Sequence, residues 1–324
     1  MKALMCNEWG HPNTLTLEEV ADPVAGEYEA VVEVKAAAVN FPDALIVQKL
    51  YQMQPELPFS PGGECAGVVK SIGEKVKNVK VGDRVLGLTG YGAFAEQVKV
   101  NSATLLPIPP ELDDITASAF VFTYGTSWHA IKDRAALKEG ETMVVLGAAG
   151  GVGIAAIEIG KALGAKVIAC CSNQEKLDVC KAHGADEVIN YETEDLKTRI
   201  RELTDGKGAD VIYDPVGGKY SEPAIRSCAW RGRHVVIGFA NGDIPKIPLN
   251  LTLLKGCSIV GVFWGDFARR EPGEFFNQMI ELFGLLQEGK LKPHVAGKYS
   301  LDNAKDAIIE LMERKVAGKL VVVP

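Results

Sequence analysis

Apolar and polar residues alternate along the first 110 positions, as in "AVVEVKAAAV" (30–39) and "CAGVVKSIG" (65–73). Such alternation puts every second side chain on one face of a strand, and Pro-Gly, Gly-Asp and Gly-Tyr-Gly turns separate the segments. The pattern predicts an antiparallel, β-rich unit. Three prolines in "LLPIPPEL" (105–112) break it, and helical spacing begins near Asp113. From Thr142 to Val262 short β-rich runs ("TMVVLG", "KVIACC", "DEVINY", "ADVIYD", "GRHVVIG" and "CSIVGV") alternate with segments of helical period. Strands separated by helices form a parallel sheet with crossover connections. Two amphipathic helices follow, over 271–288 and 302–314, and the chain ends in a short strand, "GKLVVV". A βαβ block between β-rich sequence and a short tail predicts a discontinuous first domain, 1–122 with 265–324, and an inserted second domain, 123–264.

Composition narrows the class without changing this picture. A chain of 324 residues exceeds the usual size of one domain, and 47% hydrophobic with 24% charged residues is ordinary for a soluble globular protein. A net charge of -7 with no basic cluster disfavours a nucleic-acid partner. No window is apolar enough for a signal peptide or a membrane span, so no membrane partner is expected. Seven cysteines, an odd number without a C-x-x-C pair, point to reduced thiols and a cytoplasmic location.

The candidate chemistry begins at "VVLGAAGGVGIAAIEIGKALGAKVIACCS" (144–172). A buried strand turns through "AAGGVG" straight into a helix. Ala148, Gly150 and Gly153 stand at the spacing of a dinucleotide-binding turn, with alanine in the first glycine position. Missing side chains let backbone approach a pyrophosphate, and the helix N-terminus offers amides with partial positive charge. Ala148, Gly150, Gly151, Val152 and Gly153 are therefore candidate cofactor contacts. The second strand ends in Cys170, Cys171, Ser172 and Asn173, with no acid to accept from the ribose hydroxyls of NAD. Lys176 follows one turn into the next helix, where it can meet a 2′-phosphate, so NADPH is expected over NADH. Ser172 with Glu175 also reads as a capping box.

The segments "VNFPDALIVQKLYQMQPELPFSPGGECAGVV", "VGDRVLGL", "GAAGGVG", "GADEVINY", "VIYDPVGG" and "VVIGFANG" resemble the medium-chain dehydrogenase/reductase superfamily, within it the NADPH-dependent quinone oxidoreductase (ζ-crystallin-like) group. The resemblance implies an α/β protein: a GroES-like β-rich catalytic domain plus a Rossmann doubly wound parallel-sheet domain, with the active site in the cleft between them. It also implies a homodimer through the sheet edge near "GCSIVGVF".

The superfamily's zinc enzymes hold their metal with a Cys, a His-Glu pair and a later Cys. At the matching places this chain has Asn40, Gly63 beside a retained Glu64, and Phe122. The five histidines lack matching cysteine spacing, and Cys180 with His183 on one helix face lacks further ligands, so no metal is expected. Without a Lewis acid, hydride transfer suits acceptors that already delocalise charge, namely quinones and α,β-unsaturated carbonyls.

By the same resemblance Asn40 and Tyr51 line the substrate side of the nicotinamide, as amide and phenol donors. Asn40 also reads as the end of a strand capping a turn, and Tyr51 as a packed aromatic. Asp43 and Glu64 read as buried polar residues that hold loops. Thr126 matches a nicotinamide contact or an ordinary helix N-cap. Tyr191 matches an aromatic over the adenine ribose phosphate. Gly238 and Phe239, with Ala240, stand where the fifth strand passes the cofactor, and Phe263 and Trp264 where main chain holds the carboxamide. Lys319 either reaches the cofactor or pairs with a carboxylate. An enoyl thioester reductase is the nearest alternative activity, and a crystallin-like or RNA-binding role the more distant one.

Overall fold

The computed structural model describes residues 1–324 and divides into two compact units, Met1–Phe122 with His294–Pro324, and Thr123–Pro293. The first begins with a short antiparallel ladder, β1 (Lys2–Met5) and β2 (Thr16–Glu19). β3 (Glu29–Ala38) follows, and Asn40 caps α1 (Phe41–Val47). Next come β4 (Glu64–Ile72), β5 (Arg84–Leu88), β6 (Gln97–Asn101), β7 (Leu105–Pro107) and the single-turn α2 (Asp114–Ser118). β3 pairs antiparallel with both β4 and β6, and the sheet continues through β5 to β7.

α3 (Val121–Trp128) runs on as a π-helical turn over His129–Arg134. Strands and helices then alternate: β8 (Thr142–Leu146), α4 (Gly151–Ala162), β9 (Lys166–Cys171), α5 (Gln174–Ala182), β10 (Glu187–Asn190), α6 (Leu196–Leu203), β11 (Ala209–Asp214), α7 (Ser221–Arg226), β12 (Cys228–Val236), α8 (Asn250–Lys255) and β13 (Ser258–Gly261). The six strands are all parallel, in the order β10-β9-β8-β11-β12-β13. The order reverses between β8 and β11. That is the switch point of a doubly wound sheet, where the carboxyl ends of the strands leave a crevice.

α9 (Trp264–Arg270) and α10 (Pro272–Gln287) complete the second unit. β14 (Val295–Ser300), α11 (Ala304–Met312) and β15 (Lys319–Val323) return to the first, where β15 pairs parallel with β14 and antiparallel with β3. The sequence pattern ended the second domain at 264, whereas the structure carries it to Pro293. The reason is the apolar face of α10. It buries Phe275, Met279 and Leu282, sets Phe275 6.0 Å from the Trp264 ring, and brings Glu281 within 3.0 Å of Trp128 Nε1. No helix is long and apolar enough to cross a membrane.

Close strand packing fixes one glycine in the first unit. A Cβ on Gly67 in β4 would lie 2.1 Å from the Glu33 carbonyl oxygen of β3, whereas one on Gly261 meets nothing within 4 Å. Gly67→Ala is expected to lower stability by about 3 kcal/mol in thermal or denaturant unfolding, with Gly261→Ala as the near-neutral control. Equal midpoints for the two variants would contradict this account of the β3–β4 pairing.

Candidate active site

In the first unit four polar side chains meet in a place water barely reaches. Lys319 is 6% exposed, Asn40 5%, Glu64 2% and Asp43 1%. β15 delivers the Lys319 ammonium, which donates to Asn40 Oδ1 at 2.6 Å, to the Val39 carbonyl at 2.8 Å and to Glu64 Oε1 at 3.3 Å. Asn40 Nδ2 donates to Glu64 Oε1 (2.9 Å) and to the Ala38 carbonyl (3.3 Å), and the Phe122 amide donates to Glu64 Oε2 (2.9 Å). Asp43, in the first turn of α1, accepts from the Asn40 amide (2.7 Å) and the Gly62 amide (3.2 Å).

This cluster holds two carboxylates and one ammonium. Burial pushes the Glu64 carboxyl up and the Lys319 ammonium down, and their mutual attraction opposes both shifts. Glu64 keeps three donors and stays the ammonium's partner. Asp43 has two amide donors and no counter-ion of its own, so burial pushes its carboxyl up to about 7. Both protons of the Asn40 amide are already bound within the protein. Asn40 ends its strand and caps α1, and its Nδ2 is not the open donor that its place in the sequence suggested. Tyr51, half-buried against the same core, has no protein partner for its hydroxyl; burial and the Asp43 charge push that phenol up, so it keeps its proton.

In the second unit the glycine turn lies at the carboxyl end of β8. Gly150 is the N-cap of α4 and provides no side-chain cap, so the first amides of the helix, on Gly151, Val152 and Gly153, have no side-chain acceptor. Gly147 sits at φ +57°, and a Cβ on Gly153 would strike the carbonyl oxygens of Gly147 and Ala148 at 2.6 Å. The turn is thus a bare-backbone cradle, which suits an anionic phosphate pair. Asp214, ending β11 across the switch point, accepts from the amides of Val216 (2.9 Å) and Gly217 (2.8 Å) and from Ser221 Oγ (2.6 Å), so it holds the following loop. That role was missed, although "DPVGG" marked a tight loop after a strand.

The remaining candidates divide. At the end of β9, Asn173 rather than Ser172 caps α5, accepting from the Lys176 amide at 2.9 Å, because the helix starts one residue later than the capping-box spacing implied. Ser172 and Lys176 are both half-buried there. Tyr191 packs on Tyr220 with ring centres 4.4 Å apart. Gly238 and Phe239 follow β12 half-buried, and Phe239 lies against Gly217. Thr126 is buried in the middle of α3 and is not an N-cap. Phe263 is 54% exposed, while the Trp264 ring packs so tightly on Gly125 that a Cβ there would be 2.5 Å away. Lys319 takes the carboxylate alternative. Cys180 and His183 do not act together, since His183 Nδ1 pairs with Glu158 Oε1 at 2.7 Å and Cys180 faces Cys171.

Residues 26–110 match the alcohol dehydrogenase GroES-like domain family, and 151–284 the zinc-binding dehydrogenase family. A quinone oxidoreductase-like protein 2 homologue of Nematostella vectensis is 37% identical over 99% of this chain and 88% of its own length. A quinone oxidoreductase of Pseudomonas syringae superposes with a TM-score of 0.94 at 34% identity, covering 100% of this chain and 99% of that one. The Escherichia coli quinone oxidoreductase, solved in complex with NADPH, has a TM-score of 0.93 at 31% identity over 100% of both chains. The chain belongs to the medium-chain dehydrogenase/reductase superfamily, in its quinone oxidoreductase-like group. It is an oxidoreductase.

The raised Asp43 carboxyl has a signed consequence. Its folded value of about 7 exceeds its ordinary 3.8, so the stability it contributes is full below about pH 4 and is lost as pH rises toward 7. Asp43→Asn keeps an acceptor without the charge. Between about pH 4 and pH 7 the variant should gain on the wild type by about 3 kcal/mol, followed by denaturant unfolding at each pH. Parallel stability curves would mean that Asp43 carries no such charge.

Proposed function

We propose that the protein is an NADPH-dependent, zinc-independent reductase that transfers a hydride to quinones or α,β-unsaturated carbonyls. The observation that carries this reading is the donor set of the first unit. The places where zinc relatives hold their ligands are taken here by Asn40, Gly63 and Phe122, and a buried ammonium already neutralises Glu64. An amide, a hydrogen and a phenyl ring do not make an open zinc site.

The cradle at Gly150–Gly153 fits a dinucleotide pyrophosphate, the likeness to the NADPH complex from Escherichia coli supports the cofactor, and no acid at the end of β9 opposes a 2′-phosphate. When bound, NADPH supplies a hydride from C4 of its nicotinamide. In this reading Lys176 and Ser172 hold the 2′-phosphate. Thr126, Tyr191, Gly238, Phe239, Phe263 and Trp264 line the nucleotide. Tyr51 donates a proton to the oxygen that gains charge, and Asn40 with Lys319 fixes the wall behind it. A homodimer through the β13 edge completes the proposal, supported by the exposed Trp230, Leu249, Leu253, Leu254 and Ile259 on and around that edge.

Lys176→Ala should raise the KM for NADPH about tenfold, the scale of one charge-assisted phosphate contact, and leave that for NADH nearly unchanged. Equal rises would remove Lys176 from the phosphate site. The acceptor is tested by following NADPH oxidation with 1,4-benzoquinone, 9,10-phenanthrenequinone, an alkenal and crotonyl-CoA, in enzyme stripped by a chelator. Turnover of quinone or alkenal without metal is expected, and Tyr51→Phe should slow the alkenal about tenfold more than the quinone, less than the roughly 10²–10⁴-fold of a full general-acid contribution because the quinone loses part of it too. Activity with crotonyl-CoA alone, or only with zinc restored, would overturn the proposal.

A further inference from the structure

All seven cysteines are buried and none is bonded to another. Two of them face each other beside the nucleotide cradle. Cys171 closes β9, Cys180 lies on the inner face of α5, and their sulfurs are 3.5 Å apart. A disulfide bond is about 2.05 Å long, so closing this pair needs a shift of roughly 1.5 Å. The carbonyl of the neighbouring Cys170 accepts from the Ala148 amide at 3.1 Å, inside the glycine turn. The end of β9 therefore adjoins both the turn that cradles a pyrophosphate, through Cys170, and the helix that carries Lys176, through Cys171. α5 fully buries only two side chains, Leu177 and Cys180, and residues 173–175 at its start are exposed, which lets a small oxidant enter when the helix opens locally.

The two thiols are unlike. The Cys180 thiol donor, the Ala149 and Ala148 amides and the Lys176 charge hold Cys171 below the ordinary cysteine range against its burial. The hydrogen bond to Cys171, together with burial, pushes Cys180 well above that range. Such a pair divides into an attacking and a resolving sulfur.

We propose that Cys171 and Cys180 are a hydroperoxide-sensitive dithiol whose reversible disulfide weakens nucleotide binding at the adjacent turn; the second half rests on the dinucleotide reading above. Cys171 thiolate attacks the terminal peroxide oxygen, an S–O bond forms, the O–O bond breaks, and the departing hydroxide or alkoxide takes a proton. Cys180 then attacks the sulfenic sulfur, an S–S bond forms, the S–O bond breaks and water leaves. Two thiols are oxidised and one peroxide is reduced to water and water or alcohol. A thiol reductant reverses the change. Closing the pair draws the end of β9, where the Cys170 carbonyl holds the Ala148 amide, toward the C-terminal half of α5, so the cradle and the helix that carries Lys176 shift together.

The test uses wild-type protein treated with hydrogen peroxide in the absence of nucleotide. Trypsin cuts after Lys166, Lys176 and Lys181, so the expected product is a peptide 167–176 linked to 177–181, two hydrogens lighter than the sum and separated by dithiothreitol. Cys170→Ser should keep the link, whereas Cys171→Ser and Cys180→Ser, or Cys180→Ala where serine unfolds the protein, should lose it. The Kd for NADPH, read by nucleotide fluorescence, should rise about tenfold on oxidation, the scale of one lost charge-assisted contact, and recover on reduction. Absence of the linked peptide under conditions that oxidise glutathione overturns the site. A link that leaves the Kd unchanged overturns its control of binding. Reduced wild type that binds no NADPH at all, with the link still formed, instead removes the dinucleotide reading.

Discussion

The Lys319 ammonium lies in a place from which water is nearly excluded, between a carboxylate, a side-chain amide and a main-chain carbonyl. It comes from the last strand of the chain and meets Val39, 280 residues earlier. Two carboxylates, Glu64 and Asp43, share that surrounding. Removing one member of a buried ion pair leaves an uncompensated charge that costs about 3–5 kcal/mol. The return of the chain end to the first sheet is therefore bound to the chemistry of the site. β15 must pair with β3 for the ammonium to arrive, and the ammonium must arrive for Glu64 to remain buried as a partner.

The same rule, that buried polar groups are matched, arranges the second unit. Glu158 on α4 accepts from Tyr124 Oη at 2.7 Å, pairs with His183 Nδ1 at 2.7 Å and accepts from the Lys292 amide at 2.8 Å. One carboxylate thus ties α3, the end of α5 and the segment after α10 to α4. Asp214 does likewise for the loop after β11. The first amides of α4, like those of α7 to α11, have no side-chain cap, and here they adjoin a turn too narrow for side chains. A helix N-terminus without a side-chain cap and with bare backbone around it is where an anionic ligand contributes most.

Asn40 and Lys319 illustrate how far local sequence reaches. Both were legible as polar residues at the edge of a site, one beside "FPD" and one before "LVVV". Their roles followed from each other, because the amide is saturated by the lysine and Glu64. Neither residue signals the other across the chain. Ser172 and Asn173 show a smaller version of the same limit: two neighbouring capping residues fit the local pattern, and a one-residue difference in where α5 leaves the sheet chose Asn173.

By itself the sequence determined the alternation of strands and helices in the second unit, that its sheet is parallel, and the position of its glycine turn, since alternation, helical period and glycine spacing are properties of neighbouring residues. It also carried the family, through motifs spread along the whole chain. Only the tertiary structure decided that the second unit extends to Pro293, that Lys319 is a buried counter-charge, and that Cys171 faces Cys180. Each of these depends on which surfaces meet. An amphipathic helix or a lone charged residue has the same pattern whatever it packs against, so partner choice is settled by long-range burial and charge pairing.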